Sequence, residues 1–535
     1  MFCGYFIPKK SVSTTMICDK LTVCPRADTT FSDEKPVPFP VYRDTKTHWI
    51  VPYHWAQKKN YIYKQPPRPE PNPIHIHFLG TLYPFQQRVI DTVLPVMREK
   101  GGGVLQLVCG MGKTICALYI AAQLGVKTLV LVHKEFLVDQ WKERIHQMWG
   151  PDIHVGRMQQ KTVDISAPIV IGMVQSIARD ISGRFPSSVF DSFGLVIVDE
   201  VHHFPSQVFS NVFWKCAPKY TLGLSATPQR SDGLSRVFHW FLGNMFNIDK
   251  SIQQRDVIPT VTQYMLSYPA YIINKRTVCK KNASFHLPLM LSRICEDINR
   301  SRRIVRRIVR CITEEEGRNI IVFSARRAHI QTLKRIFDEK LPTIPTGFYV
   351  GKMKKEELEH TAETARVIFS TFCMASDALD IPRLNTVVLT TPKSNVEQSV
   401  GRILRKKADD AGPRPLVIDY VDCYDPFILF GDRHIRYYKS LGYPVEQKWH
   451  PKKVDVASSS SVCSTSSACS TSSACSTSSA CSTSSACSSS APSIKASDMK
   501  KKLVMNQQQL DTFFQRCDDE EDDEDDTPRV SGHTR

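Results

Sequence analysis

The sequence predicts an α/β protein with two lobes, each built on a parallel sheet with crossover helices. Two sets of short apolar runs support this fold class, and each run neighbours a stretch with helical periodicity. Parallel strands joined by helices require this alternation. The 535 residues are enough for two or three domains, and a hydrophobic content of 42% is ordinary for a globular chain.

The first lobe is expected at residues 79–250 and the second at 290–448, with 251–289 as a bridge between them. Strand candidates in the first lobe are 103–108, 128–133, 168–174 and 194–200. Strand candidates in the second lobe are 319–324, 365–371, 385–391 and 415–421. Short buried runs of this length are typical of parallel strands with both faces covered.

The two flanking segments have a different composition. Residues 1–78 form an N-terminal extension that ends in a proline-dense connector at 64–74. Residues 449–535 are predicted to be a disordered tail, because CSTSSA repeats with period six from Cys463. Such a segment cannot bury enough apolar surface to fold, so we interpret it as a flexible linker.

Charge and cysteine usage restrict the class of partner. The net charge is +17, and it becomes +26 without the nine consecutive acidic residues Asp518–Asp526. Such a basic excess favours a polyanion, most often nucleic acid. None of the 17 cysteines forms a CxxC pair, which predicts neither a zinc ribbon nor a disulfide framework. No apolar run is long enough to cross a bilayer, so no membrane partner is expected.

A phosphate-binding pattern lies between the first strand candidate and the following helix. Its residues are Cys109, Gly110, Met111, Gly112, Lys113 and Thr114. Glycines let backbone N–H groups face phosphate oxygens, and the helix N-terminus adds positive potential. We expect Lys113 to reach the β- and γ-phosphates of ATP and Thr114 to bind Mg²⁺. Leu107 stands where this pattern usually has glycine, so a simple glycine turn that caps a helix stays an alternative.

An acidic box, Asp199-Glu200-Val201-His202, follows another apolar run. A carboxylate at the end of a parallel strand lies beside the ligand crevice. Asp199 is placed to hold Mg²⁺, and Glu200 is placed to activate the attacking water. We expect His202 to connect this site to the side that binds nucleic acid. A solvated loop is the alternative interpretation.

Further motifs follow in a fixed order along the chain. They are the segments 82–86, 132–141, 171–176, 225–233, 321–326, 371–382 and 398–405. In this order the chain resembles the superfamily 2 helicases, especially their XPB-like branch and the helicases of large DNA viruses, including the poxvirus transcript-release helicase. The resemblance runs from about Leu82 to Tyr443 and implies two RecA-like lobes. Asp377-Ala378 departs from the Glu-Gly pair that the family often has.

The resemblance implies a role for each matching residue. It assigns adenine recognition to Gln86 and ATP contact to Asp380. It assigns contacts with nucleic acid to Lys134, Gln175, Ser176 and Thr371. It assigns the coupling of hydrolysis to lobe movement to Ser225, Thr227 and Gln398, along with His202. Two arginines, Arg402 and Arg405, are implied to reach the γ-phosphate across the cleft, a role that suits a planar, permanently charged guanidinium.

The expected function is that of a nucleic-acid-stimulated ATPase, a helicase or translocase with ATP and Mg²⁺ as cofactors. We expect DNA as the substrate. We expect the protein to act inside the cell, either in the nucleus or in a cytoplasmic viral replication compartment. Two alternatives stay open. One is an RNA-directed or transcript-release ATPase. The other is a clamp-tethered scaffold that binds nucleic acid and has little ATPase activity, as Leu107 and Ala378 suggest.

A short motif in the tail predicts a protein partner. Gln507, Leu510, Phe513 and Phe514 fit the pattern Q-x-x-[ILM]-x-x-F-F, which resembles the peptide that docks on sliding clamps of the PCNA type. One aliphatic and two aromatic anchors suit a hydrophobic pocket. A short amphipathic helix without a partner is the alternative.

Overall fold

The computed structural model describes residues 4–450, with gaps. The gaps are 26–36, 67–69, 109, 181–182, 204–205, 217, 229, 231, 250–256, 267–285, 373, 375–380, 402 and 404–411. Two seven-stranded sheets, each covered by helices on both faces, dominate the described part of the chain. This architecture confirms the predicted α/β fold with two RecA-like lobes.

The N-terminal residues form a small α/β unit. Its elements are β1 (Tyr5–Pro8), α1 (Thr14–Leu21), β2 (Thr22–Val23), β3 (Phe39–Pro40), β4 (Arg43–Asp44), β5 (His48–Val51) and α2 (Tyr53–Lys58). Strands β1, β5 and β4 pair as an antiparallel sheet. Val41 and Ile50 of this unit are buried in one cluster with Trp214 and Phe241 of the first lobe. The extension therefore shares a hydrophobic core with that lobe.

The first lobe contains the strands β6–β12 and the helices α3–α8. Its strands are β6 (Gly102–Gln106), β7 (Thr128–Val132), β8 (Val155–Gln159), β9 (Thr162–Val163), β10 (Ile169–Met173), β11 (Leu195–Val198) and β12 (Tyr220–Ser225). Its helices are α3 (Pro84–Lys100), α4 (Lys113–Leu124), α5 (Glu135–Trp149), α6 (Val174–Ala178), α7 (Ser206–Phe213) and α8 (Ser235–Leu242). The sheet order is β6-β12-β11-β7-β10-β8-β9, parallel except for the β8–β9 hairpin.

The second lobe contains the strands β13–β19 and the helices α9–α14. Its strands are β13 (Thr260–Leu266), β14 (Ile320–Ser324), β15 (Thr346–Tyr349), β16 (Val367–Thr371), β17 (Thr386–Leu389), β18 (Leu416–Asp422) and β19 (Val445–His450). Its helices are α9 (Leu287–Glu296), α10 (Ile298–Glu314), α11 (Arg327–Lys340), α12 (Lys355–Thr364), α13 (Glu397–Gly401) and α14 (Asp425–Ser440). The sheet order is β15-β16-β14-β17-β18-β13-β19, and all its pairs are parallel.

Strand β13 differs from the expected organisation. It lies within 251–289, the segment expected to bridge the lobes, yet it pairs with β18 on one side and β19 on the other. It does not stand out as an apolar run because Thr262 and Gln263 interrupt its hydrophobic pattern. Gln263 is fully buried and donates a hydrogen bond from Nε2 to Asp419 Oδ2 at 3.0 Å. That hydrogen bond is what allows a buried amide in this strand.

A buried ion pair joins the helix layer of the second lobe to its sheet. Arg300 on α10 and Asp422 at the end of β18 are both 0% exposed. The guanidinium donates from Nε to Asp422 Oδ1 at 2.8 Å and from Nη2 to Oδ2 at 2.9 Å. This bidentate geometry is the arrangement that best compensates the desolvation of both charges.

Candidate functional site

The phosphate-loop residues connect β6 to α4 in lobe 1. Gly110 and Gly112 adopt positive φ values of 84° and 77°, which glycine reaches without steric cost. Lys113 begins α4, so its side chain and the first N–H groups of the helix lie at the same end. Leu107, which departs from the usual glycine, is buried in the core, and its N–H donates to Ser225 O at 3.2 Å. It serves as a packing residue at the strand end.

Gln86 is positioned by the start of α3. Tyr83 is the N-cap and Pro84 is the first helical residue, so Gln86 occupies the third helical position. Its Oε1 accepts a hydrogen bond from the Tyr83 N–H at 3.0 Å, as in a capping box. Its Nε2 donates to Met111 O at 3.3 Å, and the side chain is 2% exposed. The glutamine therefore contacts the phosphate loop directly, while adenine recognition stays a prediction.

The acidic box and the phosphate loop meet at one ion pair. Lys113 Nζ lies 2.8 Å from Glu200 Oε1, and the two side chains are 11% and 18% exposed. Glu200 has a φ of 45°, a left-handed conformation that is uncommon for residues other than glycine. The turn directs this carboxylate back over the loop. Thr114 follows Lys113 and is half-buried.

Asp199 lies beside this pair and is held by a tryptophan. Its Oδ2 accepts a hydrogen bond from Trp141 Nε1 at 2.8 Å, and both residues are buried. Burial, and then the charge of Glu200, raise the pKa of Asp199 to about 6, although Trp141 and Lys113 act to lower it. Asp199 and Thr114 supply the hard oxygen ligands that Mg²⁺ prefers.

His202 links the acidic box to the next motif. Its Nδ1 and Ser225 Oγ lie 2.8 Å apart, and Ser225 Oγ accepts a hydrogen bond from the Thr227 N–H at 3.1 Å. Burial, followed by the charges of Lys113, His133 and Arg230, lowers the pKa of His202 to about 3. His202 is therefore neutral at physiological pH. Its approach to Glu200 Oε2 at 3.5 Å is then not an ion pair.

Arg230 connects two motifs of the site, and its individual role was not predicted from the sequence. Its Nη1 donates to the His202 carbonyl at 2.9 Å, and its Nε donates to Asp232 Oδ1 at 3.0 Å. The side chain thus ties the segment after Thr227 to the acidic box. Its position within the 225–233 motif is the sequence signal that could have identified it as a site residue.

All four residues predicted to contact nucleic acid lie near the carboxyl ends of strands, three of them in the first lobe. Gln175 follows β10 and donates from Nε2 to His133 O at 2.7 Å, just after β7. Lys134 is exposed at the start of α5, and Ser176 Oγ accepts from the Gln160 N–H at 3.2 Å. Thr371, by contrast, is only 3% exposed at the end of β16. The structure therefore does not present Thr371 on the surface.

The second lobe approaches the site through the start of α13. Glu397 is the first residue of this helix and Gln398 is the next. Burial raises the pKa of Glu397 to about 7, Lys113 acts to lower it and Glu200 acts to raise it, so the two lobes face each other here. Glu397 had not been predicted, although it directly precedes the 398–405 motif. The predicted residues Cys109, Asp380, Arg402 and Arg405 lie outside the described residues, as do Gln507, Leu510, Phe513 and Phe514 of the tail.

Two protein families match the two lobes. Residues 79–230 match the family described as Type III restriction enzyme, res subunit, and residues 302–407 match the helicase conserved C-terminal domain. No helix in the described ranges is long and apolar enough to cross a membrane.

Several proteins of large DNA viruses are similar over most of the chain. A protein of Acanthamoeba polyphaga mimivirus, provisionally named ATP-dependent RNA helicase L396, is 32% identical over 466 residues, which cover 83% of this chain and 85% of that protein. The African swine fever virus protein QP509L (isolate Pig/Kenya/KEN-50/1950), provisionally named an ATP-dependent RNA helicase, is 26% identical over 68% of this chain and 74% of its own length. The transcript termination protein A18 of Yaba-like disease virus is 24% identical over 61% of this chain and 71% of its own length. The two lobes, the residues of the predicted ATP site and these matches together lead to one conclusion. The chain belongs to the superfamily 2 helicases and is an ATP-hydrolysing helicase.

Proposed function

We propose that this helicase is a DEVH-box motor of the XPB-like branch, which uses ATP hydrolysis to move along nucleic acid. The observation that carries the proposal is the Lys113–Glu200 contact at 2.8 Å, with buried Asp199 next to it. These three groups are the phosphate-binding cation, the general base and the magnesium ligand that phosphoryl transfer to water needs. The same contact argues against a scaffold with little ATPase activity.

We propose a task for each of these side chains. Lys113 and the N-terminal N–H groups of α4 bind the β- and γ-phosphates. Because Glu200 contacts the same ammonium group, a water attacking a phosphate held by Lys113 lies within reach of the Glu200 carboxylate. Glu200 then accepts the proton of that water as the general base.

Thr114 and Asp199 would hold Mg²⁺, since both offer oxygen ligands at the loop. When bound there, the ion would supply positive charge that stabilises the negative charge developing on the phosphate. Trp141 fixes the direction of one Asp199 oxygen through its hydrogen bond. Supporting hydrogen bonds of this type orient metal ligands and tune their affinity.

The neutral His202 gives the proposed coupling a physical route. His202 lies two residues after the proposed general base, Glu200. It is hydrogen-bonded to Ser225 and, through Ser225, connected to Thr227. A shift of Glu200 during hydrolysis would change this hydrogen-bonded chain and the segment held by Arg230. Arg402 and Arg405 are proposed to meet the γ-phosphate from the second lobe, and Glu397 lies at the start of the helix that leads to them.

The charge of +26 that remains without the acidic run favours nucleic acid of either kind, and DNA is our proposed substrate because the tail carries a clamp-like peptide. The names of the mimivirus and African swine fever virus relatives favour RNA instead, and the name of the poxvirus relative favours transcript termination. We therefore keep an RNA-directed ATPase as the second candidate. Of the nucleus and a cytoplasmic viral replication compartment, these viral relatives favour the latter.

ATP hydrolysis by the purified full chain tests the proposal. Turnover is measured without nucleic acid, with single-stranded DNA, with double-stranded DNA and with RNA. Lys113→Ala and Glu200→Gln should each abolish it, while Lys142→Ala, on the exposed face of α5, should not. Stimulation by DNA supports the DNA motor, and stimulation by RNA alone supports the second candidate. If no nucleic acid raises turnover above the Lys113→Ala control, the motor proposal is wrong.

Binding to a sliding clamp is a separate proposal. It rests on Gln507, Leu510, Phe513 and Phe514, whose pattern supplies one amide and three apolar anchors. Titration calorimetry of the full chain with a trimeric clamp of the PCNA type should show binding that Phe513→Ala with Phe514→Ala removes. Equal binding by both forms of the chain would contradict the assignment.

A further inference from the structure

One face of α10 carries a dense group of arginines. In the segment 301–310, SRRIVRRIVR, five of ten residues are arginine. We call these five the arginine surface; it consists of Arg302, Arg303, Arg306, Arg307 and Arg310. Three of them, Arg302, Arg306 and Arg310, are exposed and follow each other at intervals of four residues, so they form one stripe about 12 Å long.

The opposite face of α10 fixes this orientation. Ile304, Val305 and Ile308 are 0% exposed and pack in one cluster with Tyr264 of β13 and Tyr420 of β18. The buried Arg300–Asp422 pair anchors the first turn of the same helix. The helix therefore cannot rotate its arginines toward the sheet without exposing this core.

The three exposed arginines of this surface have no compensating negative charge among the described residues. Arg307 lies 3.5 Å from Glu314, whereas the structure gives Arg302, Arg306 and Arg310 no carboxylate partner among the residues that it describes. The neighbouring helix α11 contributes acidic groups, but Asp338 and Glu339 are already paired with basic residues of α11 itself. Like charges four residues apart repel each other along a helix, so an external anion would stabilise α10.

The chain itself contains a matching anion. The run Asp518–Asp526 carries nine consecutive carboxylates, enough to face all five arginines. We propose that this acidic run docks on the arginine surface of α10. Guanidinium groups suit the occupant because they bind carboxylates in a bidentate manner and are weakly hydrated.

The topology places the start of the tail close to the arginine surface. His450, the last described residue, pairs in register with Leu266, which in turn pairs with Asp422. Two strand spacings separate His450 from Asp422, or roughly 10 Å. Asp422 binds Arg300 on the first turn of α10. The tail therefore leaves the second lobe beside the end of α10 that begins the stripe.

The length of the intervening chain also fits. Residues 451–517 separate the described lobe from the acidic run. A serine-rich segment of this length spans roughly 45 Å on average, more than α10 itself, and tethers its end at an effective concentration on the order of millimolar. Docking therefore needs only modest affinity.

The direction of α10 favours the acidic run over nucleic acid as the occupant. The helix runs from the carboxyl edge of the sheet, at Asp422, to the opposite edge, where β14 begins at Ile320. Arg310 therefore lies at the edge of the sheet that is opposite the carboxyl ends of the strands. The predicted contacts with nucleic acid in the first lobe, such as Lys134 and Gln175, follow strand ends. This proposal does not depend on the identity of the nucleic-acid substrate.

Zero-length cross-linking of the full chain tests the docking. A carbodiimide joins carboxylates to lysine amines but not to arginines, so Arg302→Lys, Arg306→Lys and Arg310→Lys together keep the charge and make the surface reactive. At low salt, we expect cross-links from Asp518–Asp526 to these positions at least fivefold above those to a control chain with Arg88→Lys on α3. Replacing the nine carboxylates by amides should abolish them. Even distribution over surface lysines would overturn the proposal.

Two further measurements test the docking with native arginines and test nucleic acid as the rival occupant. With native arginines, hydrogen exchange of the α10 amides should be at least threefold faster when the acidic run is neutralised, and equal exchange would overturn the docking. Fluorescence anisotropy with a single-stranded oligonucleotide tests the rival occupant. In the neutralised chain, Arg302→Gln, Arg306→Gln and Arg310→Gln should change its Kd by less than twofold. A fivefold weakening would identify nucleic acid as the occupant and refute our assignment.

Discussion

The hydrogen bond between Trp141 and Asp199 gives the sharpest test of the proposed magnesium site. The Trp141→Phe substitution removes the indole N–H that lies 2.8 Å from Asp199 Oδ2 and keeps an aromatic ring in the core. Loss of a hydrogen bond that orients a metal ligand typically lowers metal affinity by about 10–100-fold. Because this bond also lowers the pKa of Asp199, its loss leaves more of the carboxyl protonated at neutral pH.

The assay is the magnesium dependence of ATP hydrolysis at saturating ATP. The Mg²⁺ concentration for half-maximal turnover should rise at least tenfold in Trp141→Phe. A matched control exists on the same helix, since Trp149 is 4% exposed and its Nε1 has no hydrogen-bond partner among the described residues. Trp149→Phe makes the same change in volume, so the difference between the two variants isolates the hydrogen bond. Equal magnesium dependence in both variants would refute the role given to Trp141.

Three further predictions concern the loop, the second lobe and pH. Gly112→Ala should raise the KM for ATP at least tenfold, because its φ of 77° strains any side chain and the new Cβ meets Gln86. Arg300→Ala should lower the free energy of unfolding by about 3–5 kcal/mol in a urea titration, since it leaves a buried carboxylate unpaired. Burial lowers the pKa of His434, but Asp419 outweighs it and the net shift is upward. The stability that His434 adds is therefore complete below about pH 6.5 and is lost as pH rises through the folded pKa. Urea titrations of the wild type and His434→Gln at several pH values measure this loss.

Each of these predictions has its own control. Gly183 also has a positive φ, 66°, but nothing lies within 4 Å of its Cβ position, so Gly183→Ala reports the backbone strain alone. Arg335 forms an exposed pair with Glu339, and Arg335→Ala should cost no more than about 1 kcal/mol. For His434→Gln, a stability difference from the wild type that stays constant between pH 6 and pH 9 would contradict the assigned shift.

The sequence was informative wherever a short pattern had one physical solution. The apolar runs became the strands of two parallel sheets, because a run of this kind flanked by helices can be buried in few other ways. The link between the phosphate loop and the acidic box was also expected, since both follow strand ends of one sheet. Strand β13 was missed because its buried Gln263 depends on Asp419, 156 residues away, and periodicity does not reveal such a partner.

Other features of the site depend on contacts that no local pattern encodes. Trp141 lies in a recognised motif, yet its bond to Asp199 joins residues that are 58 positions apart. The charges of Lys113 and Glu200 in the first lobe act on Glu397 in the second, and no local sequence pattern shows that these residues come near each other. The fold of the N-terminal extension was hard to predict because part of its core, including Val41 and Ile50, is completed by the first lobe, while residues such as Ile7 and Trp49 pack within the extension.

That shared core has a consequence for how the molecule unfolds. The family match begins at residue 79, but Val41 and Ile50 are packed with Trp214 inside the matched region and with Phe241 beyond its end. Removing the extension would expose those aromatic rings to water, so a trimmed catalytic core should aggregate. We expect the extension and the first lobe to melt in a single cooperative transition. The start of the family match and the boundary of the cooperative folding unit of this helicase are therefore expected at different residues.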